Sequence, residues 1–201
     1  MFPLEKEFGL EEIKQKCEES NSRIYGFIMY TRRHSYIVKT LRDKDFWNEL
    51  NEISGVNWPI FAVQPLEEGW YTYPNLNNEE VLQFMIPTWH EPNENRKYLE
   101  VFSLQESKDL PCFIAFIWND KNEIEQITFK LSNKNEQEAF DSIREVVTII
   151  SQTENNIHID YKRSEQVFQN VKADIEAFSF RKKLNKSFIY FNYLKEFFKS
   201  I

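Results

Sequence analysis

Glycine and cysteine are both scarce in this chain of 201 residues, and each scarcity excludes a class of site. The chain has 4 glycines and no GxGxxG, Walker or GxSxG motif, so a nucleotide-cradling loop is hard to build. Its two cysteines, Cys17 and Cys112, are far apart and form no CxxC pair. We therefore expect reduced packing residues rather than a disulfide scaffold or a zinc site, with no metal and no cofactor.

Long apolar runs are also missing. No segment approaches the roughly 20 apolar residues that a membrane-spanning helix needs, and the first residues, MFPLEKEFGLEEIK, lack the basic and apolar regions of a signal peptide. We expect a cytoplasmic protein of bacterial type, without a transmembrane segment.

Charge is unevenly distributed along the chain. The net charge is −7, but residues 161–201 hold nine Lys or Arg against four acids, which gives them +5 and leaves −12 for residues 1–160. An acidic body repels nucleic acid as a whole, so we expect no nucleic-acid partner. The basic, aromatic tail could dock with its lysines facing water, touch an anionic surface, or fold back on the acidic body.

Hydrophobic periodicity predicts alternating helices and strands between residues 10 and 151. A helix between two short buried strands favours parallel pairing of those strands with a right-handed crossover. Residues 65–95 hold four of the seven prolines and form a predicted insertion. The predicted elements are a helix at 10–20, a strand at 23–30, a helix at 35–54 ending at Gly55, a strand at 58–64, a short helix at 77–85 within the insertion, and a short helix at 94–104.

The segment with the clearest secondary-structure pattern is DLPCFIAFIWNDKNEIEQITFKL, residues 109–131. Pro111 opens a continuous apolar strand, NDKNE has the composition of a hairpin turn, and IEQITFKL alternates as a half-buried strand does. The two strands should pair antiparallel. An amphipathic helix then follows at 135–151, and its apolar stripe is Ala139, Phe140, Ile143, Val146, Val147 and Ile150.

This order, and above all the segment around Pro111, resembles the thioredoxin fold from about residue 10 to residue 151. The resemblance implies an α/β chain with a mixed β-sheet flanked by helices. It implies that Pro111 is the cis-proline that shapes a ligand groove, where the backbone of Leu110 can pair with a bound peptide; an ordinary trans edge proline is the alternative. Residues 1–155 would form the thioredoxin-like domain, with its insertion at 65–95, and residues 156–201 a helical C-terminal extension packed on it.

The chain departs from that family where the CxxC motif should stand. The corresponding residues, TRRHSY at 31–36, contain no cysteine, so thiol–disulfide exchange by the usual route is excluded. Arg32 and Arg33 precede a predicted helix start and could hold a phosphate or carboxylate, with His34 as a titrating donor. The alternative is that the arginines pair with the protein's own acids, such as Asp43, Asp45, Glu67 and Glu68.

Two aromatic segments have less defined roles. Trp70, Tyr71 and Tyr73 could form a binding surface or cover the core. In the C-terminal extension, an apolar stripe shifts phase near Ser179, which indicates either a kinked helix or two helices. Its apolar end should bury on the body, on a second copy in a homodimer or another partner, or on a membrane surface. The two stripes are Val167, Val171, Ile175 and Phe178, then Phe180, Leu184, Phe188, Phe191 and Leu194.

These features predict a binding protein rather than an enzyme. One form of this hypothesis is a protein-interaction module, such as an immunity-type inhibitor that neutralises a basic toxin through the acidic body. The competing hypothesis is a small-molecule sensor or enzyme that holds an anion with Arg32, Arg33 and His34 opposite Pro111.

Overall fold

The computed structural model describes residues 2–4, 10–20, 22–54, 58–63, 70–72, 88–90, 96–119, 121, 123–156 and 164–199. For residues 2–4, 47, 63, 70–72, 88–90, 96–97 and 183–199 the description is of the backbone. The strands are β1 Phe2–Leu4, β2 Tyr25–Met29, β3 Ile60–Val63, β4 Trp70–Thr72, β5 Thr88–His90, β6 Cys112–Trp118 and β7 Ile124–Lys130. The helices are α1 Leu10–Ser20, α2 Ser35–Arg42, α3 Lys44–Ser54, α4 Arg96–Val101, α5 Glu106–Asp109, α6 Glu136–Asn156 and α7 Ser164–Lys199.

Five strands form one mixed sheet in the order β1-β3-β2-β6-β7. β1, β3 and β2 run parallel, β6 is antiparallel to β2, and β7 is antiparallel to β6. The predicted parallel pairing of the first two buried strands and the predicted hairpin after Pro111 are therefore confirmed. The expectation of an α/β chain with a mixed sheet flanked by helices is confirmed too, whereas β1 was not predicted.

The two faces of this sheet are covered by different helices. Successive residues of β2 point to opposite faces, so that Ile28 and Phe27 belong to separate buried clusters. We call the side where Ile28 packs with α2, α3, α6 and α7 the α6 face, and the side where Phe27 packs with α1 and α4 the α1 face. The predicted stripe of α6 is buried throughout on the α6 face, although the helix extends to Asn156.

The helix predicted over residues 35–54 is wrong as a single helix. Asp43 has extended backbone angles, and its N–H still donates to Lys39 O, which ends α2. Its side-chain Oδ1 accepts the Asp45 N–H at 2.9 Å and so begins α3. Because aspartate offers its carboxylate to nearby backbone N–H groups, it favours a helix start over a helix interior. The predicted stop, Gly55, lies outside the described residues.

The segment before β6 contains the proline on which the resemblance rests. The Leu110–Pro111 peptide bond is cis, as the resemblance implies, and the trans alternative is wrong. Leu110 follows α5, a four-residue helix that the sequence did not predict. After β6, the side-chain Oδ1 of Asn119 accepts the N–H groups of Lys121 and Glu123 and closes the hairpin.

Only parts of the proline-rich segment 65–95 are described. Residues 70–72 and 88–90 pair as the antiparallel strands β4 and β5, which periodicity did not predict. The helix predicted at 77–85 lies outside the described residues.

In the C-terminal extension, residues 164–199 form the single helix α7, so the two-helix alternative is wrong. Its predicted first stripe packs on the α6 face: Val167, Val171 and Ile175 are buried, and Phe178 is partly buried. Phe180, which begins the second stripe, is 63% exposed. The remaining members, Leu184, Phe188, Phe191 and Leu194, have side chains outside the description.

Candidate functional site

The register of the sheet brings two predicted groups of residues to the same end. Met29, the last residue of β2, pairs with Cys112, the first residue of β6. The segment that follows β2 and the segment that precedes β6 therefore meet. We call this place the turn edge and define it as residues 31–34 together with Leu110 and Pro111.

His34 closes a tight turn between β2 and α2. Its backbone N–H donates to Thr31 O at 2.9 Å, and its ring Nδ1 accepts the Thr31 N–H at 2.9 Å. Burial lowers the pKa of His34. The hydrogen bond with the Thr31 backbone and the charge of Glu106 oppose this shift, and the positive charges of Lys130 and Arg33 add to it. A ring nitrogen that accepts a backbone N–H must carry a lone pair, which agrees with a neutral imidazole.

Asn133 caps the helix that starts at the turn edge. Its Oδ1 accepts the N–H groups of Tyr36 and Ile37, at 3.1 and 3.3 Å. These are two of the free N–H groups at the helix start that an anion would use. An anion at the turn edge must therefore be held by other groups or displace Asn133. Sequence reasoning missed Asn133 because it lies about a hundred positions further along the chain and belongs to no motif.

Lys130, at the end of β7, is a second residue that sequence reasoning missed. Its ammonium donates to the backbone carbonyls of Lys108 and Leu110, at 2.8 and 2.5 Å. The Leu110 carbonyl, which the resemblance makes available to a bound peptide, is thus occupied by a side chain. The hairpin register places Lys130 opposite Cys112, so counting back from the turn could have found it.

Arg32 carries the least satisfied polar atoms of the turn edge. Its Nε and Nη2 are buried and have no hydrogen-bond partner, although the residue as a whole is partly exposed. Its neighbour Arg33 is exposed, and it interacts with other groups of the chain. Of the predicted acidic partners, Asp43 uses its carboxylate at the start of α3.

Asp45 is exposed at the start of α3, and Glu67 and Glu68 lie outside the described residues. Within the described ranges, no ion pair joins Arg32 to an acid.

The two cysteines lie away from solvent on the α1 face. Both are free and fully buried. Burial raises the pKa of Cys17 to about 12, which the side chain of Trp118 partly opposes. Burial likewise raises the pKa of Cys112 to about 12, which the charge of Lys130 partly opposes.

The side chains of the predicted aromatic surface are not among those that the structure describes. Trp70 and Tyr71 lie in β4, opposite His90 and Trp89 of β5, and only their backbone is described. Tyr73 lies outside the described residues, so this surface stays a prediction.

Two further observations concern the described residues as a whole. Among them, no group of three or more His, Cys, Asp or Glu side chains is arranged to hold a metal ion. None of the helices, as far as they are described, has the length and apolar character required to traverse a bilayer.

Comparisons with protein-family models, curated proteins and solved structures found no match to this chain.

Proposed function

We propose that this chain is a thioredoxin-like binding protein that works in the cytoplasm, without thiol–disulfide exchange, through contact with another protein. The likeness is supported by the run of proline, strand, hairpin and edge strand in front of α6. The observation that carries the proposal is the state of the two cysteines. With the pKa of each raised to about 12 by burial, neither supplies a thiolate near neutral pH. We infer that a thioredoxin-like fold without reactive thiols serves to bind another molecule.

The charge of the body favours a basic partner. Residues 1–160 carry −12, and the acids of α1 are exposed. An acidic surface speeds the approach of a basic protein and discriminates against acidic ones. An immunity-type inhibitor of a basic toxin is one form of this proposal. The exposed acids of α1 are Glu11, Glu12, Glu18 and Glu19.

Affinity capture with two matched variants tests the proposal. The tagged chain is incubated with lysate of its source cells, beside a variant with the four α1 acids changed to Lys and a variant with Arg32→Glu and Arg33→Glu. Retained proteins are identified by mass and their stoichiometry is measured. We expect one stoichiometric basic protein, retained by the wild type and the Arg variant and weakened by the α1 variant.

The variants also separate the surfaces. A partner that is lost only from the Arg variant would move the contact to the turn edge and end the toxin-inhibitor form of the proposal. If no protein is retained at stoichiometric amounts by the wild type, the proposed function is wrong.

A further inference from the structure

The guanidinium of Arg32 has a buried edge that finds no partner in the described part of the chain. Both Nε and Nη2 are shielded from solvent and donate to no acceptor. An arginine side chain is charged at any pH that a folded protein survives, so it cannot relieve this situation by losing a proton. Buried N–H groups that have given up water without gaining an acceptor carry a desolvation cost. An unsatisfied group of this kind therefore calls for a specific explanation.

The acids in the described part of the chain do not supply that partner. Asp109 accepts the Gln105 N–H at 2.7 Å and so begins α5. Asp141 pairs with Arg144 on α6. Asp43 is engaged at the start of α3, so these three carboxylates serve other groups.

Positive charges outnumber negative ones among the groups that act on the turn edge at His34. Arg33 follows it directly, and Lys130 reaches the backbone of Leu110 rather than a carboxylate. The charges that act on His34 are two cations, Lys130 and Arg33, against the single carboxylate of Glu106. An excess of positive charge of this kind attracts an anion.

The two orphaned nitrogens have the geometry that one class of anion requires. Nε–H and the Nη2–H on the same side of the guanidinium point in parallel and form one of its donor forks. Such a fork fits two oxygens of one carboxylate or one phosphate. A single chloride or a lone carbonyl oxygen can accept from both N–H groups, but only at a shared atom and without the two parallel hydrogen bonds of a bidentate pair.

We propose that the turn edge binds an oxyanion, the carboxylate or phosphate group of a ligand, in a bidentate pair with Nε and Nη2 of Arg32. The start of α2 is not the main holder, because Asn133 already accepts from Tyr36 and Ile37. Because both nitrogens are shielded from solvent while Arg32 as a whole is partly exposed, the proposal requires the atoms that cover the fork to move aside when the anion binds. The inference is independent of the protein partner proposed above.

Nuclear magnetic resonance of the arginine Nε–H groups tests the inference on the purified chain. Inorganic phosphate and acetate are titrated separately at constant ionic strength, with chloride as the balancing anion, because salt screens exposed charges in either case. The wild type is compared with Arg32→Gln and with Arg33→Gln, which removes the same charge one residue away. We expect a saturable shift of the Arg32 resonance in the wild type and its retention in Arg33→Gln. Because Arg32→Gln has no such resonance, we follow the backbone N–H resonances of Thr31 and His34 in all three chains, and we expect their saturable shifts to be lost in Arg32→Gln.

The two titrations identify the source of the oxyanion. Saturation with phosphate alone assigns a phosphate group, and saturation with acetate assigns a carboxylate. If neither anion gives a saturable shift, or if Arg32→Gln leaves other resonances of the turn edge responding as in the wild type, the inference is overturned.

Stability without added oxyanion gives a second, separate test. Removing two buried N–H groups that have no acceptor should leave the unfolding equilibrium constant of Arg32→Gln unchanged or lower. A rise of more than about tenfold would mean that Arg32 pairs within the chain, which overturns the inference. Failure here leaves the protein partner of the proposed function untouched, because that partner is measured by capture alone.

Discussion

The two faces of the sheet are built from different side chains, although they share every strand. The α6 face is mainly aliphatic and is covered by the long helices α6 and α7. The α1 face is rich in aromatic rings, holds both cysteines, and is covered by the short helices α1 and α4. The contrast is sharpest in β2, where Gly26 leaves no room for a side chain and Phe27 fills the opposite side with a full ring. In β2, therefore, the α6 face admits no side chain at residue 26, whereas the α1 face needs a large side chain at residue 27.

Replacing Phe27 with Ala should produce the largest loss of stability. Its ring lies 4.9 Å from that of Tyr98 and 5.5 Å from that of Phe102, centroid to centroid. Truncation leaves a cavity among rigid rings that cannot collapse, so we expect a loss of about 3–5 kcal/mol in the free energy of unfolding. Urea denaturation measures it, with Phe27→Leu as the milder control. A loss below about 1 kcal/mol would mean that the α1 face repacks freely.

Adding a single methyl group at Gly26 should be the next most damaging change. A Cβ there would stand 2.7 Å from Phe113 Cζ and 2.7 Å from Trp58 Cζ3. Overpacking of this kind costs about 1–3 kcal/mol, which urea denaturation of Gly26→Ala measures.

A double variant provides the control for Gly26. Phe113→Leu removes one of the two atoms that the new methyl would meet at 2.7 Å, while Trp58 Cζ3 stays, so its combination with Gly26→Ala should cost less than the sum of the two single changes. If the cost of the double variant equals the sum of the two single costs, the strain in Gly26→Ala does not come from contact with Phe113.

Asn133 supports the α6 face from its margin, and its loss should have a moderate effect. Asn133→Ala leaves the Tyr36 and Ile37 N–H groups without their acceptor, at a cost of about 0.5–2 kcal/mol. Hydrogen exchange at these two amides should accelerate with the same change. Asn133→Asp keeps the acceptor oxygen and adds a charge that the helix start favours, so it should retain stability; a loss equal to that of Asn133→Ala would argue against capping.

The smallest effect concerns Glu154 near the end of α6, and it depends on pH. Burial raises its pKa from 4.5 to about 7, opposed by the charge of Arg23. Between these two values the native chain holds a proton that the unfolded chain has lost. The stability of the wild type therefore falls as pH rises from 4.5 through 7.

Glu154→Gln cannot ionise, so it should be more stable relative to the wild type at pH 8 than at pH 4.5. We expect the difference to be on the order of 1 kcal/mol or less, since solvent screens a partly exposed carboxylate. Urea denaturation at both pH values measures it. If the stability difference between Glu154→Gln and the wild type is the same at both pH values, the ionisation of Glu154 does not affect folding.

Sequence patterns predicted the elements with strong periodicity and missed those that depend on distant contacts. α1, the hairpin and the stripe of α6 follow from local spacing alone. The break at Asp43 was missed because the apolar spacing continues across it while a single side chain ends one helix and begins the next. Three-residue strands such as β1 and β4 are too short to show a period, and only pairing with other segments defines them.

The residues of the candidate site also divide into those that local sequence predicted and those that only the fold brings to the site. Arg32, Arg33 and His34 were found by comparing a local segment with the position of a missing motif, and Pro111 by its place before a strand. Lys130 and Asn133 reach the same place through the hairpin and the loop after it. Their contacts are consequences of the three-dimensional arrangement, and nothing in the residues around them indicates those contacts.

The position of the two cysteines gives the protein an internal reporter. Cys17 and Cys112 are the only thiols of the chain, and both belong to the α1 face. A thiol reagent can modify them only when that face opens, so the rate of modification under native conditions counts openings of one half of the core. The unmodified wild-type chain can thus be used to time the motions of its aromatic half, with no engineered label and no signal from the aliphatic half.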